Sequence, residues 1–475
     1  MTAAADRQPQ AEPPTASVYQ LFSPAHLPAT LMLGGGVTLF AIETYVTATV
    51  APSIVRDIGG LPLFAWVTTL YVAAAVLGSI FVAMRPRVFS LRDVYILGAL
   101  VFSAGSLVCA VAPAMAVVLL GRAVQGLGAG MLSGLAYAFI RHVYPEPLWG
   151  RASTLYAAIW GVATVLGPTA GGVFSSGAQW RYAFLVLLPP ALLMAAFARR
   201  LLPAATDSRA AGRPPLRQIG LLLSAVLLVS AAGTAERDGP KLALLAASLL
   251  LFGAMLAVER RGGNRLLPQG AVILGQPIAR LYLIMFAIIV TISSDVYVPY
   301  FLQALHGVAP LMSGYLVALV ALGWTFAAFL VGRLTGRQAA MAITAGCLLE
   351  AAATAALAPL LARNDPAADL TVLVPASIAL LLMGAGVGLG WAHLVAGVLK
   401  RAGGVEQDKA SAAIATVQSL GGAFGTAMAG VVANSAGLVT PGGTVGDLSA
   451  VHWLYLAMPV PAALAFLVSL APNRE

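Results

Sequence analysis

Four ionisable side chains stand inside apolar runs long enough to cross a bilayer: Glu43, Arg122, Asp295 and Glu350. Such groups are costly in hydrocarbon and mark either a function or an internal partner. A carboxylate shielded from lipid binds or releases a proton as its surroundings change. Where the same carboxylate also meets a cargo, the movements of proton and cargo become coupled. At a helical rise of about 1.5 Å per residue, Glu43, Arg122 and Asp295 each lie roughly 9–12 Å below the same boundary of their runs. Equal depth permits contact among them. Glu43 and Asp295 are therefore candidate proton-coupling carboxylates and Arg122 their charge partner; the plainer alternative is a structural ion pair. Glu350, in "ITAGCLLEAAATAALA", has no polar neighbour in sequence and takes no assigned part in transport. A neighbouring helix, another protomer or a lipid headgroup defect is its expected surrounding. His393, near the end of its run, is expected at a helix contact.

Long apolar elements must position these groups. The 475 residues are 60% hydrophobic and 9% charged, against about 25% charged in an average soluble chain. So few charges cannot cover a water-facing surface of this size, so lipid must be the solvent over much of it. Roughly 20 apolar residues span a bilayer. Fourteen such runs lie near 29–50, 62–83, 94–113, 114–139, 153–175, 181–202, 216–234, 241–258, 278–301, 311–332, 339–361, 371–399, 410–433 and 451–471. With the N-terminus placed in the cytoplasm, 21 of the 27 Lys and Arg fall on the cytoplasmic side and five outside, leaving Arg122 within a span. One missed span would invert every later loop, so this bias supports the count and orientation. The net charge of +9 is then a matter of topology and contact with anionic lipid, and nucleic acid is not an expected partner.

The expected fold is an all-α polytopic membrane protein with 14 transmembrane helices. Two pseudo-symmetric six-helix bundles occupy 29–202 and 278–471. Residues 203–277 supply cytoplasmic linkers and an inserted helix pair. The tails 1–28, expected to be disordered, and 472–475 are placed in the cytoplasm. Residues 1–28 carry one basic residue, Arg7, and do not resemble a cleaved signal. Cys109 and Cys347 fall in apolar runs and point to neither disulfide nor zinc. No phosphate-binding loop, metal cluster or Ser/His/Asp constellation appears. No cofactor, no ATP-driven step and no enzymatic activity are expected.

The stretch "GVATVLGPTAGGVF" puts Gly161, Gly167, Pro168, Gly171 and Gly172 inside one run. Lipid provides no hydrophobic force between helices, so small residues that let backbones approach take over. Proline bends the helix, and lipid forbids it to unravel. The pattern fits a close-packed helix face that either pivots or simply packs.

That run resembles the antiporter motif on the fifth helix of the major facilitator superfamily. "LLGRAVQGLGAG", carrying Arg122, Gln125, Gly126, Gly128 and Gly130, resembles the superfamily's fourth-helix motif. "WRYAF", with Trp180 and Arg181, resembles the opening of its sixth helix. "YFLQALHGVAPLMSGYLVAL" resembles its segment between helices seven and eight, through Tyr300, Gln303, Gly307, Pro310 and Gly314. Fourteen spans with an inserted pair are similar to the 14-helix drug:proton antiporter family. The resemblance implies that Arg122 takes part in proton coupling and that the glycines of the fifth helix form the opening interface. The loop after Gly78 departs from the superfamily pattern: it keeps Arg85, Arg87 and Arg92 without the usual aspartate. "GRLTGRQ" at 332–338 is a similarly eroded echo.

The expected function is proton-driven export of small amphipathic compounds across the cytoplasmic membrane by a monomer, both termini inside. A drug-type cavity is expected to draw on Tyr45, Gln125, Trp160, Tyr297, Tyr300, Gln303, Trp324 and Trp391. One alternative keeps the transporter and makes the cargo an endogenous metabolite, siderophore or lipid. Another makes the chain a non-transporting sensor or assembly subunit.

Overall fold

In hydrocarbon every backbone N–H and C=O must find a partner within the protein, which leaves the helix as the unit of construction for these apolar runs. A computed structural model describes residues 18–84, 89–145, 148–175, 179–204, 215–261, 263, 265–273, 275–367, 369–402 and 406–471. The first 17 residues, Arg85, Arg87, residues 205–214 and the tail 472–475 lie outside the described residues.

Fourteen crossing segments follow one another. The first six are α1 (Leu27–Ile58), α2 (Phe64–Met84), α3 (Leu91–Ala110), α4 (Met115–Val143), α5 (Trp149–Val173) and α6 (Trp180–Leu201). Then come α7 (Leu216–Thr234) and α8 (Asp238–Arg261). The last six are α9 (Pro277–His306), α10 (Pro310–Val331), α11 (Gly336–Leu361), α12 (Leu370–Ala402), α13 (Gln407–Ser435) and α14 (Gly443–Ser469). Among the described residues, twelve are long and apolar enough to cross a membrane by length and composition alone.

Local chemistry sets the ends. Ser90 and Asp93 form a reciprocal capping box at α3, the Ser90 hydroxyl accepting from the Asp93 amide at 3.2 Å. Proline opens α1, α9 and α10, where a missing N–H costs nothing. Gly307 ends α9 with φ 61°, a left-handed position that glycine reaches without strain.

Three segments are broken, each beside proline. α6 pauses at Val186–Leu187 before Pro189 and Pro190. α14 pauses at Met458–Pro459. In α9 the α-helix stops at Ile292, passes through a 3₁₀ turn, Ser293–Tyr297, and resumes at Val298. Pro299 there removes one backbone donor, and Ser293 and Ser294 turn their hydroxyls onto the carbonyls of Ile289 and Thr291 at 2.6 and 2.9 Å.

Two expected boundaries move by eight residues. α1 runs eight residues past the expected end at 50, because Pro52 does not stop it and its terminal charges are paired. Asp57 accepts from Arg181 at 2.6 Å and from Trp180 at 3.0 Å, and Arg56 donates to Ser53 at 2.9 Å. α14 starts at Gly443 instead of 451, since its acid, Asp447, accepts from the Tyr300 hydroxyl at 3.1 Å.

Within the first half, α4 packs closely on α2 and α3. Its motif glycines explain the fit: a Cβ on Gly126 or Gly130 would strike the backbone of Tyr71 or Ala75. In the second half α12 plays the same part against α10 and α11. The halves meet along two seams, α2 with α13 and α5 with α10. Hydrogen bonds that join them directly include Arg56 to Gln303 at 3.0 Å, Thr169 with Tyr315 at 2.6 Å, and Asn434 to the Pro62 carbonyl at 3.0 Å. All three lie toward the face where α1 ends and α2 begins. The inserted pair leans on one seam through α7, whose Ser230 and Gly233 carbonyls accept from Trp66 at 3.1 Å and Asn434 at 2.8 Å.

Candidate functional site

Glu43 on α1 and Arg122 on α4 form a buried ion pair, with 0% and 1% of the side chains exposed. Each charge is held from several sides. The Arg122 Nη1 also donates to Gln125 Oε1 at 2.6 Å, and its Nε donates to the Val67 carbonyl at 3.0 Å. The guanidinium lies 4.0 Å above the Tyr71 ring, a cation–π contact strengthened by the lack of water. Gln125 passes the network on to Ser106 at 2.9 Å. Thr47, one helical turn beyond Glu43, donates to its Oε1 at 2.6 Å. The other oxygen, Oε2, is buried and has no hydrogen-bond partner among the described residues. Four helices thus converge on one carboxylate that keeps a free acceptor, the position a proton or a donor from a cargo would take.

Asp295 is not part of this network. It sits half-buried in the 3₁₀ turn of α9, within electrostatic reach of the Tyr45 hydroxyl on α1 and of Tyr455 on α14. The break in α9 thus carries an acid that faces the first half through Tyr45. Equal depth brought Glu43 and Arg122 together, while Asp295 lies apart from them beside Tyr45.

Glu350 turns inward. It is fully buried on α11 beside the backbone of Ile292, where the first part of α9 ends. Gly386 of α12 lies so close that a Cβ there would come within 2.6 Å of the Glu350 amide. Neither carboxylate oxygen has a hydrogen-bond partner among the described residues. Of the three expected surroundings, the neighbouring helix is the one found.

The aromatic candidates divide. Tyr45 is half-buried on the face toward Asp295. Trp160 is 36% exposed and meets Phe40 edge-on, with ring centres 5.6 Å apart. Trp324 and Trp391 meet each other at 5.4 Å across α10 and α12. Tyr297, by contrast, is fully buried, packed on Phe64 at 5.0 Å and Phe301 at 5.9 Å, so it is a core residue and not cavity lining. Tyr300 is tied to Asp447. Gln303 accepts from Arg56 and donates to Ser313 at 2.9 Å, which makes it a fastening between halves. Gln125 is consumed by Arg122 and Ser106.

The glycines of α5 also divide. A Cβ on Gly171 would lie 2.8 Å from Thr49 Cβ and 2.9 Å from the Val46 carbonyl of α1. One on Gly167 would strike Tyr45, and one on Gly172 would come within 2.6 Å of Leu311 at the start of α10. Pro168 lies against the same seam, 2.9 Å from a Cβ placed on Gly314. Gly161 meets nothing within 4 Å and is a correction to the expected packing set. At about 100° per residue, four residues from Gly167 return to the same face, but six from Gly161 do not.

Sequence reasoning missed Tyr71, Thr47 and Ser106, the supports of the pair. Their one signal was a polar or aromatic residue in register with a buried charge on a neighbouring helix, which needs the packing to be known. Asp57 was missed as well. It closes the start of α6 through Trp180 and Arg181, with the Arg181 guanidinium 4.3 Å above the Trp180 ring.

The sequence profile of the Major Facilitator Superfamily matches residues 32–426. A probable multidrug-efflux transporter of Mycobacterium tuberculosis is 34% identical over 467 residues, covering 96% of each chain. The puromycin resistance protein of Streptomyces alboniger is 31% identical over 422 residues, covering 84% of this chain and 80% of that one. Among solved structures, a bacterial homologue of the human lysosomal transporter Spinster, inward-facing and unoccupied, matches with a TM-score of 0.65 at 16% identity, covering 94% of this chain and 97% of that one. The xylose transporter of Escherichia coli, partially occluded and inward open, matches with a TM-score of 0.60 at 16% identity over 94% and 99% of the two chains.

Proposed function

The chain belongs to the Major Facilitator Superfamily, and on that premise we propose that this multi-pass membrane transporter exports small amphipathic compounds in exchange for protons. The observation that carries the reading is the buried Glu43–Arg122 pair, with one carboxylate oxygen left open. A proton arriving on Glu43 removes the charge that holds Arg122. The guanidinium then keeps only its neutral partners, Gln125, the Val67 carbonyl and the Tyr71 ring. Two arrangements of the same four helices thereby differ by one proton, which is the requirement for coupling. Asp295, beside Tyr45 at the break in α9, is the acid on the opposite wall that a cationic or hydrogen-bonding cargo meets. The names of the two relatives support drug-like cargo, and the Lys and Arg distribution supports both termini in the cytoplasm. The 14-span pattern supports a place in the drug:proton antiporter group, working as a monomer with no cofactor besides the proton gradient.

Purified protein in liposomes under an imposed pH gradient, offered a panel of unrelated dyes and antibiotics, tests the reading. Export of several compounds with proton counterflow is the expected result. Glu43→Gln, still inserted and folded, is expected to abolish substrate-linked proton movement; unaltered coupling in that variant removes Glu43 from the mechanism. Transport of a single metabolite would move the conclusion to a dedicated exporter.

A further inference from the structure

Glu350 has no part in the exchange proposed above, yet its place is unusual for an acid. It lies near the middle of α11 and is fully buried. α11 packs closely on α12 and on both parts of α14, and it also meets α9. On the α12 side, a Cβ added to Gly386 would come within 2.6 Å of the Glu350 amide and 2.7 Å of its Cβ, so bare backbone forms that wall. On the α9 side the group stands beside Ile292. Cys347, three residues earlier on α11, is within its electrostatic reach. The elements packed against α11 carry Asp295, Tyr297 and His306 on α9, His393 on α12, and Asp447 and Tyr455 on α14. None of these gives it a hydrogen bond: neither carboxylate oxygen has a partner among the described residues.

An ionised carboxylate in such a place has neither water nor a cation to offset its charge, so the group here is the neutral acid. A neutral acid still carries a donor and an acceptor that find nothing, a cost that a methionine of similar size would not bear. Packing alone gives no reason for an acid, and an ionisable group kept inside a span marks a function. Its neighbour says which. Ile292 is the last residue before α9 leaves the α-helix for the 3₁₀ turn Ser293–Tyr297, and a 3₁₀ stretch inside a longer helix often marks a hinge. The fastenings of that turn are light. The hydroxyls of Ser293 and Ser294 donate to carbonyls of their own helix, and the Thr291 hydroxyl accepts from the Ala462 amide of α14 at 3.0 Å. Asp295, three residues past Ile292, is only half-buried. The turn thus runs from a sealed acid to a partly open one.

We propose that Glu350 is a second proton-exchanging site, opened and closed by the break in α9. In the arrangement described here it holds its proton. When the turn shifts, water reaches the carboxyl, the O–H bond breaks and the proton passes to that water. When the turn returns, the carboxylate takes a proton back before it is sealed, so the two arrangements differ by that proton. Glu43 has Arg122 to balance its charge; Glu350 must be neutral whenever it is closed. The inference rests on the proposed proton exchange for what the second proton is traded against, and not for the exchange at the carboxyl itself.

Infrared spectroscopy of the full-length protein in lipid bilayers tests it, through the carbonyl band of a protonated carboxyl shielded from water. A band present at neutral pH and missing from Glu350→Gln is expected. On transfer to heavy water that band is expected to shift as O–H exchanges for O–D. Pro299→Ala, which returns a backbone donor to α9, is expected to slow the shift about tenfold, the effect of one recovered hydrogen bond. A band that never shifts marks a permanently sealed acid and overturns the inference. So does a band shared by Glu350→Gln and the unaltered protein, or an exchange rate that Pro299→Ala leaves unchanged. Proton counterflow during ethidium export from liposomes reads the part in transport. Glu350→Gln is expected to export with fewer protons per ethidium, and an equal count with export intact removes Glu350 from the coupling. Export with no proton counterflow in the unaltered protein is a failure of the exchange reading, and the infrared band then decides on Glu350 alone.

Discussion

In the first half, Glu43 is enclosed by an arginine, a threonine and, through the arginine, a glutamine and a tyrosine ring. In the second half, Asp295 and Glu350 sit on either side of the break in α9, and neither meets a basic side chain among the described residues. Duplicated bundles of the same architecture thus handle buried acids in opposite ways. The first half neutralises its acid inside a rigid three-helix packing of α2, α3 and α4, where glycines bring the backbones together. The second half spends backbone regularity instead, interrupting a helix at the level of its acids. The acid is held by a charged partner in one half and stands at an interrupted backbone in the other.

The sharpest way to break this contrast is Arg122→Ala. It leaves the Glu43 charge buried and unpaired, a loss of about 3–5 kcal/mol, expected as a large fall in melting temperature in detergent. Adding Glu43→Gln is expected to recover much of it, and a double-mutant cycle measures the coupling. Glu350→Met sharpens the contrast from the other side. Its oxygens have no partner to lose, so removing them is expected to stabilise the protein by about 1 kcal/mol, seen as a higher melting temperature. Gly161→Ala, on the open side of α5, is expected to be neutral or to stabilise by up to about 1 kcal/mol. Asp295→Asn is expected to move stability least of all and to alter transport alone, read as cargo export in liposomes with an unchanged melting curve.

Spans, halves and the charged pair were legible in the sequence because each rests on a single strong cost. Hydrocarbon sets the length of an apolar run, and a buried charge demands a partner at its own depth. Arg122 was the lone cation in a span, and Glu43 lay at a matching level. What was not legible depends on azimuth and on contacts between distant segments. Tyr297 and Trp324 look alike as aromatic residues in apolar runs, yet one is sealed in the core and the other lies at a helix crossing. Gln303 reads as cavity lining until Arg56 is placed beside it. The early end expected for α1 and the late start expected for α14 share one cause. Charges and turn residues read as breaks in an apolar run, whereas Asp57 and Asp447 are each satisfied by a residue far along the chain. Glu350 could not be oriented, since its partner surface is the bare backbone at Gly386 and Ile292.

The three bonds that close one face between the halves pair a guanidinium with an amide, two hydroxyls with each other, and an amide with a carbonyl. None of them sets a cation against an anion. Mobile ions weaken attraction between opposite charges and act far less on a short bond to a neutral partner. A door fastened in this manner keeps its grip in fresh and brackish surroundings alike, and yields to whatever moves the helices rather than to the salinity of the medium.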